Sequence, residues 1–295
     1  MRRPSTRPST RPSGRSSTRR LLVHGVAAVL LLAACTSGPD HDEEDRPDDL
    51  SPAPAPGERW QPAPGVSWQW QITGKLDTSV KAAVYDIDGF TTTKEQVAEL
   101  KAAGRRTICY LSTGAWEDFR PDAGAFPPSM RGEGNGWEGE RWLDIRRLAE
   151  LEPLIAKRFD MCRDKGFDAV EPDNMDAYRN TSGFPLTAGD QLNYNRLIVR
   201  LAHDRGLSVG LKNDLDQIPE LVGDFDFAVN EQCAQYDECG RLTPFIAAGK
   251  AVFHVEYELP ASRFCAGTTA LKLSSLEKKY DLGAWRRTCD QVRKP

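Results

Sequence analysis

Short apolar runs that break off into polar residues recur from residue 67 onward, and most are followed by a stretch of helical periodicity that stops at a glycine. Runs at 67–72, 83–88, 107–112, 141–145, 167–173, 207–213, 225–231 and 251–257 have the length and alternation of strands. Helical patterns fill 93–103, 151–165, 188–205 and 242–248, ending at Gly104, Gly166, Gly206 and Gly249. Strand, helix and strand in regular alternation demands a parallel sheet, and eight such units over about 200 residues predict a closed (β/α)8 TIM-type barrel. An open doubly wound sheet is the competing arrangement, but no Gly-x-Gly-x-x-Gly follows the first strand.

The strand ends carry the chemistry. Asp168-Ala-Val-Glu-Pro alternates, so Ala169, Glu171 and Asp173 share a face, and Pro172 marks where the strand stops pairing. The other strands end in Asp86 and Asp88, Tyr110 and Ser112, Asp144, Lys212 and Asn213, Asn230 and Glu231, and Glu256 with Tyr257. In a barrel these ends meet on one rim, and a rim of acids, amides and aromatics suits a sugar. Trp68, Trp70, Tyr85 and Trp116 offer stacking faces, although each is an ordinary core aromatic on its own. The expected substrate contacts are Trp70, Asp86, Asp88, Tyr110, Glu171, Asn174, Lys212, Asn213, Glu256 and Tyr257. Cleaving a glycosidic bond needs one carboxyl that donates a proton and another that attacks or stabilises the anomeric carbon. Asp173 and Glu231, on different strands, are the candidates; Glu171 lies deeper and is expected to hydrogen-bond neighbours, Lys212 among them. The plain alternatives are a solvated, helix-capping acidic loop over 167–176, a buried orienting carboxylate at Asp173 and an ion-pair partner of Lys212 at Glu231.

Composition changes this picture mainly at the N-terminus. Residues 1–20 hold seven arginines and no acid, residues 21–34 are apolar but too short to span a bilayer, and Leu32-Ala-Ala-Cys35 follows. That layout predicts a signal peptide over 1–34. An acidic, proline-rich tether over 35–64 cannot bury enough apolar surface to order itself, which leaves 65–295 as the catalytic domain. Beyond the leader, 32 basic and 43 acidic residues leave a net charge near −11, which argues against nucleic acid and favours neutral or cationic ligands. Six cysteines remain past Cys35, an even number that in an exported protein predicts disulfides. Fifteen pairings are open, of which proximity favours Cys233 with Cys239, Cys265 with Cys289, and so Cys109 with Cys162. Paired Cys-x-x-Cys clusters are missing and the domain holds only His203 and His254, so no zinc site is expected; the protein is read as a cofactor-free monomer.

Trp68-Gln-Trp-Gln-Ile-Thr-Gly74, Val84-Tyr-Asp-Ile-Asp88, Cys109-Tyr-Leu-Ser-Thr-Gly-Ala-Trp-Glu117, Phe167-Asp-Ala-Val-Glu-Pro-Asp-Asn174, Gly210-Leu-Lys-Asn213 and Asn230-Glu231-Gln232 together resemble glycoside hydrolase family 114, the endo-α-1,4-polygalactosaminidases, over residues 65–258. The resemblance implies a TIM-type barrel acting on polymers of α-1,4-linked galactosamine or N-acetylgalactosamine, with Asp173 and Glu231 as the acid pair. Asp173 is expected to attack and Glu231 to donate the proton, a retaining scheme with the carboxyls about 5 Å apart. Leu-Ala-Ala-Cys35 resembles a bacterial lipobox, which implies export, cleavage before Cys35 and a lipid anchor there on the outer face of the membrane. The tail beyond residue 264 is expected to add a helix at 271–280 and a disulfide clip. Three other classes compete: a metal-dependent hydrolase built on Asp86, Asp88 and Asp173 with Glu171 and Asp176, a non-catalytic glycan-binding lipoprotein, and a serine hydrolase, for which no Gly-x-Ser-x-Gly elbow exists.

Overall fold

The computed structural model describes residues 59–293; the expected signal peptide, the expected anchor at Cys35 and all but the last residues of the expected tether lie outside the described residues. Eight parallel strands form one curled sheet in chain order: β1 (Trp68–Gln71), β2 (Val84–Asp88) and β3 (Arg106–Ser112), then, after an insertion, five more. The insertion is a separate antiparallel sheet of β4 (Ala115–Glu117), β5 (Arg131–Gly134) and β6 (Glu140–Leu143). The main sheet resumes with β7 (Ala169–Asp173), β8 (Ser208–Lys212), β9 (Phe227–Glu231), β10 (Val252–Glu256) and β11 (Ser274–Glu277), and β12 (Arg287–Thr288) pairs antiparallel to its far edge. Helices α1 (Lys94–Ala102), α2 (Leu148–Lys165), α3 (Ala188–His203), α4 (Ile218–Leu221), α5 (Thr243–Ala247), α6 (Ala261–Ala270) and α7 (Cys289–Arg293) complete the chain, and all but α7 connect strands. This is the (β/α)8 architecture the alternation predicts.

The helices form where propensity and capping agree. Thr93 closes a capping box with Gln96 at the start of α1, Thr187 does the same with Asp190 for α3, and Gly166 stops α2 in the left-handed conformation at φ 90°. Two elements differ from the sequence reading. Residues 141–145 form no barrel strand: Trp142 pairs with Ala115 in the inserted sheet, and Asp144 turns back onto the Arg146 guanidinium at 2.7 and 2.8 Å. The eighth barrel strand is β11, inside the segment expected to be helical. Pairing with β10 overrides local preference there, because Leu276 is needed inside the barrel beside Phe253 and Val255. Helix α6, rich in threonine and containing Gly267, has too little helical propensity to stand out in sequence.

Two cores result, as alternation requires. Outward residues such as Ile87, Leu111, Val170, Val209 and Leu211 pack under the helices, while Trp68, Ile108, Phe227, Val229, Phe253 and Leu276 fill the barrel. Trp68 lies 4.8 Å from Phe253, and Phe253 lies 5.6 Å from Phe227. Gly210 leaves room for that packing: a β-carbon there would sit 2.4 Å from the Phe227 ring. Residues ahead of 65 already take part in the packing: Trp60 enters the barrel core, Arg106 stands 5.9 Å over its ring, and Pro62 O accepts Ala251 N–H at 2.8 Å.

Between β1 and β11 the barrel is sealed by side chains and by the tail. Trp68 Nε1 donates to Ser274 O at 2.9 Å, Ile72 N–H to Leu282 O at 3.1 Å, Gln69 Nε2 to Ala284 O at 2.8 Å, and Arg286 to Trp68 O. Cys265–Cys289 pins this tail to α6, Cys109–Cys162 joins β3 to α2, and Cys233–Cys239 closes a loop after β9, the pairing that proximity favours. Three disulfides fit a protein that matures outside a reducing compartment. Among the described residues no helix is long and apolar enough to cross a membrane.

Candidate active site

Where β7, β8 and β9 end, each strand turns out of the barrel through a left-handed residue: Asn174 (φ 65°), Asn213 (φ 52°) and Gln232 (φ 64°). Asparagine tolerates that region because its short amide bonds locally, whereas Gln232 carries strain. Each turn leaves the preceding side chain, Asp173, Lys212 or Glu231, at the mouth of the barrel. The three converge. Lys212 Nζ lies 2.8 Å from Glu171 Oε1, 3.1 Å from Asp173 Oδ1 and 3.6 Å from Glu231 Oε2, with its ammonium 4.7 Å over the Trp70 ring and 5.8 Å from that of Tyr110.

Exposure separates the acids. The side chains of Asp173 and Glu231 are 20% and 26% exposed, against 2% for Lys212 and none for Glu171, so only the first two reach a substrate. Asp173 accepts from Tyr110 OH at 2.8 Å and from Asn174 N–H at 2.8 Å as well as from Lys212. Burial alone would raise its pKa, but the Lys212 charge and these donors outweigh it and hold the carboxyl below the usual aspartate range. Glu231 accepts from Tyr257 OH and from Asn213 Nδ2 at 3.1 Å, while Asn213 Oδ1 accepts the Glu231 N–H at 2.9 Å. Burial and the Glu231 charge push the Tyr257 phenol well up, so it stays a donor. Burial opposes a charge on Lys212, yet Asp173, Glu171 and Glu231 together hold its pKa well above the ordinary lysine value.

Beneath this layer Asp86 is fully buried and hydrogen-bonds Glu171. Burial and the Glu171 charge push Asp86 well up, so it carries the proton and donates to Glu171, which accounts for carboxylate oxygens that otherwise lack a donor. Asp86→Asn, which keeps a donor, is expected to cost less than about 1 kcal/mol in urea unfolding, and Asp86→Leu about 2–3 kcal/mol by stranding Glu171. Equal losses would mean that Asp86 is ionised. Asp214, buried behind Asn213 and bonded by Asn195 Nδ2 at 2.9 Å, is pushed up to about 7 by burial and by the Asp176 charge. Its folded pKa exceeds its unfolded one, so the stability it contributes at low pH disappears as pH rises from about 4 to 7. The thermal midpoint is expected to fall by a few degrees over that window, and Asp214→Asn to flatten the fall.

Of the residues singled out from sequence, Asp173, Glu231, Glu171, Lys212, Tyr110, Asn174, Asn213 and Tyr257 therefore share one site. Asp86, expected to touch the sugar, lies fully buried beneath the site and out of a substrate's reach, and three others go elsewhere. Trp70 is buried under Lys212 and has no face left for a sugar. Asp88 turns to Arg120 at 2.7 Å and to the N–H groups of Phe90 and Thr91, organising the approach to α1. Glu256 points out of the barrel, bonded to His254 Nε2 at 2.9 Å and to Ala234 N–H at 2.7 Å, because it sits one residue out of phase with the inward Tyr257. The stacking aromatics also differ from expectation: Trp68 and Tyr85 are core, and Trp116 is tied to Ala123 O at 3.0 Å. Among the described residues the exposed rings are Phe119, Trp137, Tyr236, Tyr280 and Trp285, all in the segments that follow barrel strands β3, β9 and β11. In sequence, only the flanking cysteines set Tyr236 apart. Among the described residues the one histidine, cysteine and acid group tight enough for a metal is Cys233, Cys239 and His254, whose sulfurs are bonded to each other.

The sequence model of glycoside-hydrolase family GH114 matches residues 50–294, extending past residue 258 to take in the tail that seals the barrel. Ega3 of Aspergillus fumigatus, solved with galactosamine, is 40% identical over 79% of this chain and 98% of its own, with a TM-score of 0.75. The glycoside hydrolase domain of PelA from Pseudomonas aeruginosa superposes with a TM-score of 0.61 over 75% of this chain and 98% of its own, and at 15% identity it speaks to fold alone. No functionally curated protein matches the sequence.

Proposed function

This chain belongs to glycoside hydrolase family GH114 and is a glycosidase, and from that premise we propose that it is an endo-acting hydrolase of α-1,4-linked galactosamine polymers, working through Asp173 and Glu231 by a retaining double displacement. The observation that carries the reading is the convergence of two partly exposed carboxylates on one buried ammonium, in a relative of a protein solved with galactosamine. Asp173, ionised and gripped by three donors, takes the nucleophile's part; Glu231, farther from Lys212, takes the acid/base part. Because both lie within 3.1 and 3.6 Å of one nitrogen, the facing oxygens are no more than about 7 Å apart, which accommodates the short spacing a covalent glycosyl-enzyme needs. Glu231 protonates the departing sugar oxygen as Asp173 attacks the anomeric carbon, then takes a proton from the water that releases the enzyme. Tyr110 and Tyr257 hold the two carboxylates in line.

A metal-dependent scheme fits poorly, since the centre of the carboxylate cluster is taken by Lys212 and Asp88 is bound to Arg120. For location, the leader, the Leu-Ala-Ala-Cys35 sequence and the three disulfides support an exported protein anchored by a lipid at Cys35. The acidic cleft favours partly deacetylated, cationic polymer, so raising salt is expected to raise the KM on such a substrate by several-fold while leaving kcat nearly constant; a KM indifferent to salt would remove charge from the recognition. The deciding experiment incubates the purified protein with α-1,4-galactosaminan, acetylated and deacetylated, with and without chelator. Oligosaccharides that appear with retained α-configuration and ignore chelator support the proposal. Binding without cleavage turns the reading to a glycan-binding protein, and chelator-sensitive cleavage to the metal scheme.

A further inference from the structure

Past Glu231 the mouth of the barrel continues into a wall of tyrosines. Tyr257, whose hydroxyl bonds Glu231, stacks on Tyr280 with ring centres 4.5 Å apart and planes 19° apart. Tyr280 is 46% exposed, and its hydroxyl reaches Glu258 Oε1 at 3.3 Å. Gln232 ties in a second ring: its Nε2 lies 3.5 Å from Tyr280 OH, and its carbonyl accepts the Tyr236 N–H at 3.2 Å. Tyr236 is 60% exposed within the loop that Cys233–Cys239 closes. Two large rings are thus kept in water on supports stiffened by a stack and a disulfide. Holding them there forgoes burial, and the stiffening removes the ordering cost of a ligand that would cover them.

We propose that Tyr280, Tyr236 and Glu258 form a binding subsite for a galactosamine unit on the leaving-group side of the scissile bond. The proposal rests on the galactosaminidase reading above. The axial hydroxyl of a galacto-configured sugar leaves one ring face apolar, and that face lies on the exposed side of Tyr280 or against Tyr236. The Glu258 carboxylate, held at the ring edge by Tyr280 OH, meets the 2-ammonium group. An N-acetylated unit keeps the stacking and loses the ion pair. The subsite therefore adds affinity for any chain long enough to reach it, and more for a chain with free amines.

The test measures binding of α-1,4-galactosamine oligomers of increasing length, free-amine and N-acetylated, by calorimetry to protein carrying Asp173→Asn so that nothing is cleaved. One added unit is expected to tighten binding by about tenfold. Tyr280→Ala and Tyr236→Ala should each erase most of that step, and Glu258→Gln should erase its excess for the free amine while sparing the N-acetylated series. Tyr236→Ala keeps the test sound should Tyr280→Ala disturb folding, because that ring supports no core. A length step unchanged in both tyrosine variants overturns the subsite, and an unchanged free-amine preference in Glu258→Gln overturns the ion pair. Failure of the active parent to cleave any galactosaminan, with no oligomer bound, overturns the underlying functional reading instead.

Discussion

Asp173→Asn is expected to lower turnover on a galactosamine polymer by about 10⁴-fold or more. The carboxylate it removes is the one that Tyr110, Asn174 and Lys212 together keep ionised and aimed into the cleft. An amide of the same shape neither attacks the anomeric carbon nor stabilises the positive charge that develops there. The fold should survive, since Glu171 and Glu231 still face Lys212, and circular dichroism should match the parent. The two roles separate with azide, which stands in for a missing group on an activated galactosaminide. Added to Asp173→Ala it should restore cleavage and yield a glycosyl azide of β-configuration, formed on the face the nucleophile occupied. Added to Glu231→Ala it should yield the α-azide, formed from the glycosyl-enzyme. The opposite pairing would exchange the assignments.

Lys212→Met comes next in size, and it acts on stability and chemistry together. The ammonium is buried among Glu171, Asp173 and Glu231, and its removal leaves carboxylates facing one another over an aromatic floor. Breaking a buried cluster by deleting one charge costs about 3–5 kcal/mol, readable as a lower urea midpoint. In the chemistry, Asp173 loses the partner that holds its pKa down. The acid limb of the kcat/KM profile should therefore move up by a unit or more, because the nucleophile is now protonated at pH values where the parent's is ionised. An unmoved acid limb would mean that Lys212 serves the fold alone. Lys212→Arg should not restore the profile, since a planar fork does not fit a space shaped around one nitrogen by Trp70 and Tyr110.

The meeting of the two carboxylates proposed for catalysis was legible because strand periodicity brings both inward at strand ends. The expected stop at Pro172 holds on one side only: register with β8 runs no further than Val170, while β3 stays paired through Pro172 to Asp173, and Lys212 and Glu231 occupy the corresponding ends of β8 and β9. The same rule misleads by one residue at Glu256, where the polar end of β10 is real but faces the helices. Which eight runs build the barrel was less legible. Residues 141–145 are short but mostly apolar, Ser274–Glu277 holds Leu276 as its one apolar residue, and the choice between them is made by pairing partners outside each run, Ala115 for one and Phe253 for the other. The tyrosine wall left almost no trace, since an aromatic in a loop has no periodic neighbours to show which way it faces. Asp86 was visible as an acid but not as a protonated one, because its charge state follows from the burial and the Glu171 contact that only folding creates.

The seal between β1 and β11 also sets the order in which this protein can come into being. Trp68 waits for Ser274, 206 residues later, and for the tail pinned by Cys265–Cys289. A chain delivered N-terminus first, by a ribosome or through a membrane channel, displays the free edge of β1 until Ser274 and the tail through Cys289 have arrived. Contacts at such separation make closure slow, so the half-made sheet is the state a chaperone must guard. Asp173, Lys212 and Glu231 all precede β11, but the barrel that aims them closes only once β11 and the tail have followed.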